Sequence, residues 1–222
     1  MQDKKRLIFA HRGLSGEDIP ENSSAAFENA VCAGLGIELD VRLSGDGVPV
    51  VFHDATLKRM CGDQRRVSDL TFAELRQLRL NGTNQRIPSL AEVLELTAGR
   101  VPLLIEIKVP KRHIWHHRLE RRMLPLLENY CGQYMLQSFN KYSMRYMKRR
   151  LNCIPCGILS GAAYPEPPGF DFVSYRLRSL TQEKTARLRE KYPRVFGWST
   201  SGFNTEKCDR AFGGLGLDGV IM

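Results

Sequence analysis

Polar residues able to move protons or hold a cation recur in this sequence inside otherwise apolar runs. His11-Arg12 follows Leu7-Ile8-Phe9-Ala10, and Glu38 and Asp40 alternate with Ile37, Leu39 and Val41. His53-Asp54 follows Val50-Val51-Phe52, and Glu106 and Lys108 alternate with Ile105, Ile107 and Val109. Strand-like runs normally reject charge, so each such group is costly unless something answers it. Any one of them alone would read as half of a salt bridge; the set, drawn from separate segments, does not. Three carboxylates brought together, Glu38, Asp40 and Glu106, repel one another and need a cation. Oxygen ligands select a hard divalent ion, Mg²⁺ or Ca²⁺, over zinc. His11 and His53 titrate close enough to neutrality to trade protons with a substrate. Arg12, as a planar fork, and Lys108, as a point charge, suit a phosphate.

Such a set needs a scaffold that brings several strand ends to one place. Strand patterns occur at 7–11, 37–41, 48–53, 101–109, 134–139, 155–160, 170–175, 195–200 and 219–222. Helical patterns occupy 23–34, 71–80, 89–98, 112–130, 141–151, 181–192 and 205–213. Thr71-Phe72-Ala73-Glu74 and Ser89-Leu90-Ala91-Glu92 carry capping-box spacing, and Gly34 ends the first helix. Alternation of this kind implies a parallel sheet covered by helices. With the hairpin return counted separately, ~8 main strands remain, which predicts a (β/α)₈ TIM barrel near its lower size of ~200 residues. The polar groups then lie at the C-terminal strand ends, where barrel active sites are built. The competing open doubly wound sheet lacks its Gly-rich phosphate loop.

Between 41 and 48 only a tight turn fits, so an antiparallel hairpin follows the second strand. A turn over Ser44-Gly45-Asp46-Gly47 sets Leu43 opposite Val48 and Glu38 opposite His53, on the face that also holds Asp40.

The 222 residues carry 33 basic and 24 acidic side chains, a formal charge of +9, with 42% apolar residues. The chain, 1–222, is expected to form one domain. No apolar run approaches the ~20 residues of a membrane helix, and the start lacks the roughly 7–15-residue apolar stretch of a secretory signal. A cytoplasmic protein with reduced thiols is expected, Cys153 and Cys156 serving as small apolar residues within a strand. The basic clusters at 111–122 and 145–150 mix with apolar residues at helical spacing and read as solvated helix faces. Trp115-His116-His117 sits at a helix start, where adjacent histidines do not share a face. No aromatic set suits single-stranded nucleic acid. The expected partner is therefore a small anionic molecule, with no nucleic acid and no stable membrane insertion.

These residues also carry a family likeness. The runs His11-Arg12-Gly13, Pro20-Glu21-Asn22-Ser23, Ala26-Phe27 and Gly36-Ile37-Glu38-Leu39-Asp40-Val41 resemble the opening of the glycerophosphodiester phosphodiesterase family. The likeness continues through Asp46-Gly47, Val50-Val51-Phe52-His53-Asp54, Leu57, Arg59 and Gly62. It resumes at Pro88-Ser89-Leu90, Ile105-Glu106-Ile107-Lys108, Gln137-Ser138-Phe139, Trp198 and Asp218-Gly219. The resemblance implies a TIM barrel that hydrolyses glycerophosphodiesters, the small-molecule substrate, to glycerol 3-phosphate and an alcohol. It implies that Glu38, Asp40 and Glu106 bind the divalent ion and that His11 and His53 form the acid/base pair. Arg12 and Lys108 would contact the phosphate, and Glu21 would support the site. Trp198 would wall the substrate's glycerol or fill the core, and Phe139 would line the apolar side. Which histidine acts first as base stays open.

Ser23 and Ser44 stand where the family often has Thr. Its last strand usually runs on into a Thr-Asp-like pair and a closing helix, whereas this sequence stops at Ile221-Met222, leaving the seam of the barrel unspecified. The short stretch between His53 and Thr71 leaves room only for a small lid, hence an open site with a broad substrate range. A related phosphodiesterase acting on lysophospholipid or sphingolipid head groups is the alternative, with the loops at 80–87 and 161–169 as its membrane-facing parts. A non-catalytic nucleic-acid or anion-binding module is the distant one.

Overall fold

The computed structural model describes residues 6–109, 117–161, 167–200 and 204–222. The strands are β1 (Leu7–His11), β2 (Gly36–Leu43), β3 (Pro49–Val51), β4 (Leu103–Ile107), β5 (Tyr134–Ser138), β6 (Cys156–Ser160), β7 (Phe172–Arg176), β8 (Arg194–Trp198) and β9 (Gly219–Ile221). The helices are α1 (Ser24–Cys32), α2 (Lys58–Cys61), α3 (Phe72–Leu75), α4 (Leu90–Thr97), α5 (Arg118–Glu128), α6 (Lys141–Arg150), α7 (Gln182–Arg189) and α8 (Thr205–Leu215). Eight strands pair in parallel in the order β1-β2-β4-β5-β6-β7-β8-β9 and close back on β1. The (β/α)₈ TIM barrel is thus realised. The seam closes through Leu7, Ile8 and Phe9 opposite Gly219, Val220 and Ile221. It is extended by His11 N–H donating to the Met222 carbonyl at 2.7 Å.

Strand alternation gives the barrel two cores. Outward Ile37, Leu39, Ile105, Leu136, Val173 and Val195 pack under the helices. Inward Phe9, Leu104, Met135, Phe172, Phe196 and Ile221 plug the interior. Three of these are seated by glycine. Phe9 pairs with Gly36, Phe172 with Gly157 and Phe196 with Gly219, each ring lying over its paired glycine. A Cβ on Gly157 would stand 2.1 Å from the Phe172 ring. Gly157→Ala is therefore expected to destabilise by about 2 kcal/mol through overpacking. That lowers Tm by about 5 °C in a thermal melt, with Phe172→Leu in the same chain recovering part of the loss.

The hairpin register differs from expectation by one residue. Leu43 pairs with Pro49 and Val41 with Val51, because the turn holds an extra residue: the Ser44 N–H bonds the Val48 carbonyl and its hydroxyl accepts from Val48 N–H. β3 ends at Val51, so His53 is not paired with Glu38 and reaches the barrel mouth from a loop. Beyond it, residues 52–89 form a lobe with its own core, including Phe52, Leu57, Met60, Val67, Leu75 and Ile87. The helix expected over 71–80 is regular only to Leu75. Its chain then tightens, Gln77 bonding Glu74 and Leu78 bonding Leu75, and turns Leu80 into that core. Both capping boxes form as the spacing predicts. Cys156 is buried at the start of β6, but Cys153 is exposed in the preceding turn, so the two do not share a strand. Trp115, His116, the first residues of the basic stretch from Lys111, and 162–166 of the 161–169 loop lie outside the described residues. No described helix is long and apolar enough to cross a membrane.

Candidate active site

The inward positions one step above the apolar plug carry the polar groups. Glu38 and Asp40 rise from β2, Glu106 from β4 and Gln137 from β5, with Asp40 opposite Glu106 and Glu106 opposite Gln137 in register. One carboxylate oxygen from each of Glu38, Asp40 and Glu106 lies within 4.8 Å of the others, and all three side chains are buried. Each has a positioning partner. The Asn22 amide donates to Asp40 Oδ2 at 2.9 Å. Arg12 N–H donates to Glu38 Oε2 at 3.1 Å. The Gln137 amide, 3.5 Å from Glu38 Oε1, accepts in turn from the Ser174 hydroxyl at 2.8 Å. Lys108 Nζ sits between Asp40 Oδ1 at 3.0 Å and Glu106 Oε1 at 2.6 Å.

Charge crowding shows in the proton affinities. Burial, then the charges of Asp40 and Glu106, push the Glu38 carboxyl well up, and burial foremost raises Glu106 to about 7. Burial alone would raise Asp40 as well, but Lys108, His53, Arg12 and the Asn22 hydrogen bond hold it well below the usual carboxylate range. A buried, oxygen-only triad with two unwillingly ionised members suits a hard divalent cation: the ion would neutralise the repulsion that otherwise retains protons.

His11 ends β1 beside this triad. Burial and the neighbouring Arg12 charge bring its pKa down to about 4, so the imidazole is neutral at neutral pH. Just after it, Arg12 and Gly13 adopt left-handed backbone angles (φ 60° and 82°), and Asn22 does the same (φ 55°). A β-carbon on Gly13 would meet Ala26 of α1 at 2.8 Å. The chain thus turns sharply at the strand end, at a cost non-glycine residues bear mainly at functional sites. That turn lets Arg12 reach Glu21 at 2.8 Å, with its Nε 3.4 Å from Asp40.

Glu21 begins a relay that reaches the second histidine. It also accepts from Arg59 at 2.6 Å, Arg59 bonds Asp54 at 2.6 Å, and Asp54 Oδ1 lies 2.6 Å from His53 Nδ1. With Nδ1 held by Asp54, Nε2 is the nitrogen left to exchange a proton with a substrate. Burial lowers the His53 pKa, with Asp40 and Asp54 opposing. The Arg42 guanidinium fixes the His53 carbonyl through Nε at 2.8 Å and NH2 at 2.6 Å.

His11, Arg12, Glu38, His53, Glu106 and Lys108 line one cavity of about 240 Å³ at the C-terminal mouth, together with Phe139 and Trp198. Asp40 lies beneath it and Glu21 behind Arg12. Every site residue singled out in the sequence therefore falls in or against one cavity. The roles of Asn22, Asp54, Arg59 and Gln137 were not read from the sequence. Asp54 beside His53 and the polar Gln137 within an apolar strand were the available signals.

A profile of the glycerophosphoryl diester phosphodiesterase family matches residues 11–221. A glycerophosphodiester phosphodiesterase of Caldanaerobacter subterraneus subsp. tengcongensis is 30% identical over 232 residues, which span 98% of this chain and 93% of that protein. A lysophospholipase D of Rattus norvegicus is 42% identical over 122 residues, 48% of this chain and 38% of that one. Among solved structures, an Oleispira antarctica phosphodiesterase in complex with the product sn-glycerol-3-phosphate superposes with a TM-score of 0.84 at 24% identity, covering 97% of this chain and 92% of its own. A glycerophosphodiester phosphodiesterase of Thermotoga maritima gives a TM-score of 0.74 at 26% identity, covering 97% and 93%.

Proposed function

This chain belongs to the glycerophosphoryl diester phosphodiesterase family, and from that premise we propose that its cavity hydrolyses glycerophosphodiesters to glycerol 3-phosphate and an alcohol by cation-dependent acid–base catalysis between His11 and His53. The observation that carries this is the convergence of an acidic triad, two imidazoles and the Arg12 and Lys108 cations on one cavity. The product named for the Oleispira antarctica neighbour, sn-glycerol-3-phosphate, supports the same substrate class.

Arg12 and Lys108 hold the non-bridging phosphate oxygens. Glu38, Asp40 and Glu106 would hold a divalent ion, Mg²⁺ or Ca²⁺, which would supply positive charge to the phosphoryl oxygens and favour ionisation of the attacking hydroxyl. His11, unprotonated at neutral pH, accepts the proton of the substrate's own 2-hydroxyl as that oxygen attacks phosphorus. The bond to the alcohol oxygen breaks, and His53, entering as the imidazolium that its bond to Asp54 favours, donates its Nε2 proton to the departing alcohol and is left neutral. Water then opens the five-membered cyclic phosphate: His53 takes the water's proton and His11 returns one to the 2-oxygen. Asn22 and Gln137 orient triad members, and Glu21 ties Arg12 to the Arg59–Asp54–His53 relay.

The test is release of glycerol 3-phosphate from glycerophosphocholine and glycerophosphoethanolamine with Mg²⁺, with Ca²⁺ and with EDTA. Cation-dependent release is expected; release undiminished by EDTA would overturn the triad's role. The likeness to a lysophospholipase D favours one extension, to lysophosphatidylcholine, read as release of choline.

A further inference from the structure

Three cations line the cavity: Arg12, Lys108 and Arg176. Arg12 has Glu21 and Asp40, and Lys108 has Asp40 and Glu106. Arg176 forms no ion pair with any described carboxylate; its guanidinium carbon stands 4.9 Å over the ring of Trp198. The two residues are directly paired, at the last positions of β7 and β8, one layer above the Phe172–Phe196 stack. In the ring of eight strands, β7 and β8 lie diametrically across from β2 and β4, which carry the triad.

This placement has a chemical consequence. Stacking on an aromatic face holds a guanidinium in place while leaving its edge N–H donors unspent, in the planar fork that matches a carboxylate or phosphate. The indole N–H of Trp198, shielded from solvent, also has no acceptor among the described residues. A substrate whose scissile phosphate sits on the triad side meets, at its far end, a preorganised cation with no counter-charge among the described residues. A zwitterionic substrate would bring an ammonium or only hydroxyls there.

We propose that Arg176, seated on Trp198 across the mouth from the acidic triad, reads a second negative charge on the substrate and makes acidic glycerophosphodiesters the preferred class over zwitterionic ones. This rests on the phosphodiesterase reading above. The second charge can lie on the alcohol or on the glycerol side, and two matched pairs separate these. Glycerophosphoserine differs from glycerophosphoethanolamine by one carboxylate on the alcohol. 3-Phosphoglycerate differs from glycerol 3-phosphate by a carboxylate in place of the terminal hydroxymethyl group.

The experiment measures kcat/KM for the first pair, and binding of the second by calorimetry, in the wild-type protein, Arg176→Gln and Arg176→Lys. The acidic member is expected to be favoured by about tenfold in at least one pair, with the preference lost in Arg176→Gln and partly kept in Arg176→Lys. Whichever pair responds locates the charge. If Arg176→Gln moves neither ratio while both diesters are hydrolysed, the Arg176 assignment fails and the phosphodiesterase reading stands. If no diester is hydrolysed but the binding preference still depends on Arg176, the assignment of an anion reader holds and the catalytic reading fails.

Discussion

With His53→Ala, release of choline from glycerophosphocholine is expected to fall by about 10³-fold, while release of p-nitrophenol from the matching nitrophenyl diester falls by only about tenfold. An alkoxide needs a proton to leave; a nitrophenolate does not. His11→Ala is expected to cost about 10³-fold with both substrates, since proton removal from the attacking hydroxyl is common to the two. Equal losses for both leaving groups in His53→Ala would remove its assignment as the acid. The pH profile adds a second reading. Burial and Arg12 hold the His11 pKa down to about 4, so the base form persists through neutrality and its limb falls only as pH drops toward that value. At saturating divalent ion, where the protons of the triad no longer shape the profile, a limb near the ordinary value of 6.5 would mean that His11 is not the base.

The second large effect concerns the triad. Glu38→Gln is expected to lower kcat/KM by about 10³-fold or more and to weaken divalent-ion binding in calorimetry. In the unsubstituted protein, ion binding is expected to expel protons, because Glu38 and Glu106 are raised by burial and mutual repulsion. Apparent affinity should climb by about tenfold per pH unit for each proton displaced, the Glu106 share of that rise ending above about 7. Stability follows with a definite sign. A carboxyl whose folded pKa lies above its ordinary value stabilises the metal-free fold at low pH and loses that contribution as pH rises through about 7. The rise in Tm on adding Mg²⁺ or Ca²⁺ should therefore be larger at about pH 8 than at about pH 6. A Tm rise independent of pH would contradict an ion held by these carboxyls.

Much of this was legible in the chain. Period-two alternation placed Glu38 with Asp40 and Glu106 with Lys108, and the capping boxes fixed two helix starts, because both depend only on near neighbours along the sequence. The hairpin register was not legible. A single hydroxyl, Ser44 Oγ bonding Val48 N–H, adds a residue to the turn, and periodicity carries no trace of it. His53 does not stand opposite Glu38 as that register implied; it lines the same cavity from a loop, its carbonyl bonded by Arg42 and its ring by Asp54. The Phe–Gly pairs inside the barrel and the relay from Glu21 to His53 join residues 15 or more apart in the chain, and it is the pairing of strands and the packing of loops that makes them neighbours.

The lobe over residues 52–89 has one more implication. It carries its own small core and joins the barrel through backbone and side-chain bonds, among them Val51 N–H to the Pro88 carbonyl, Gly45 N–H to the Leu70 carbonyl, Arg42 to the His53 carbonyl and the Arg59–Glu21 pair. A unit of that kind can open by itself, at a lower free energy than global unfolding. When it does, His53, Asp54 and Arg59 leave together while the triad and His11 remain seated on barrel strands. Competence for turnover and persistence of the barrel are then separate thermodynamic quantities.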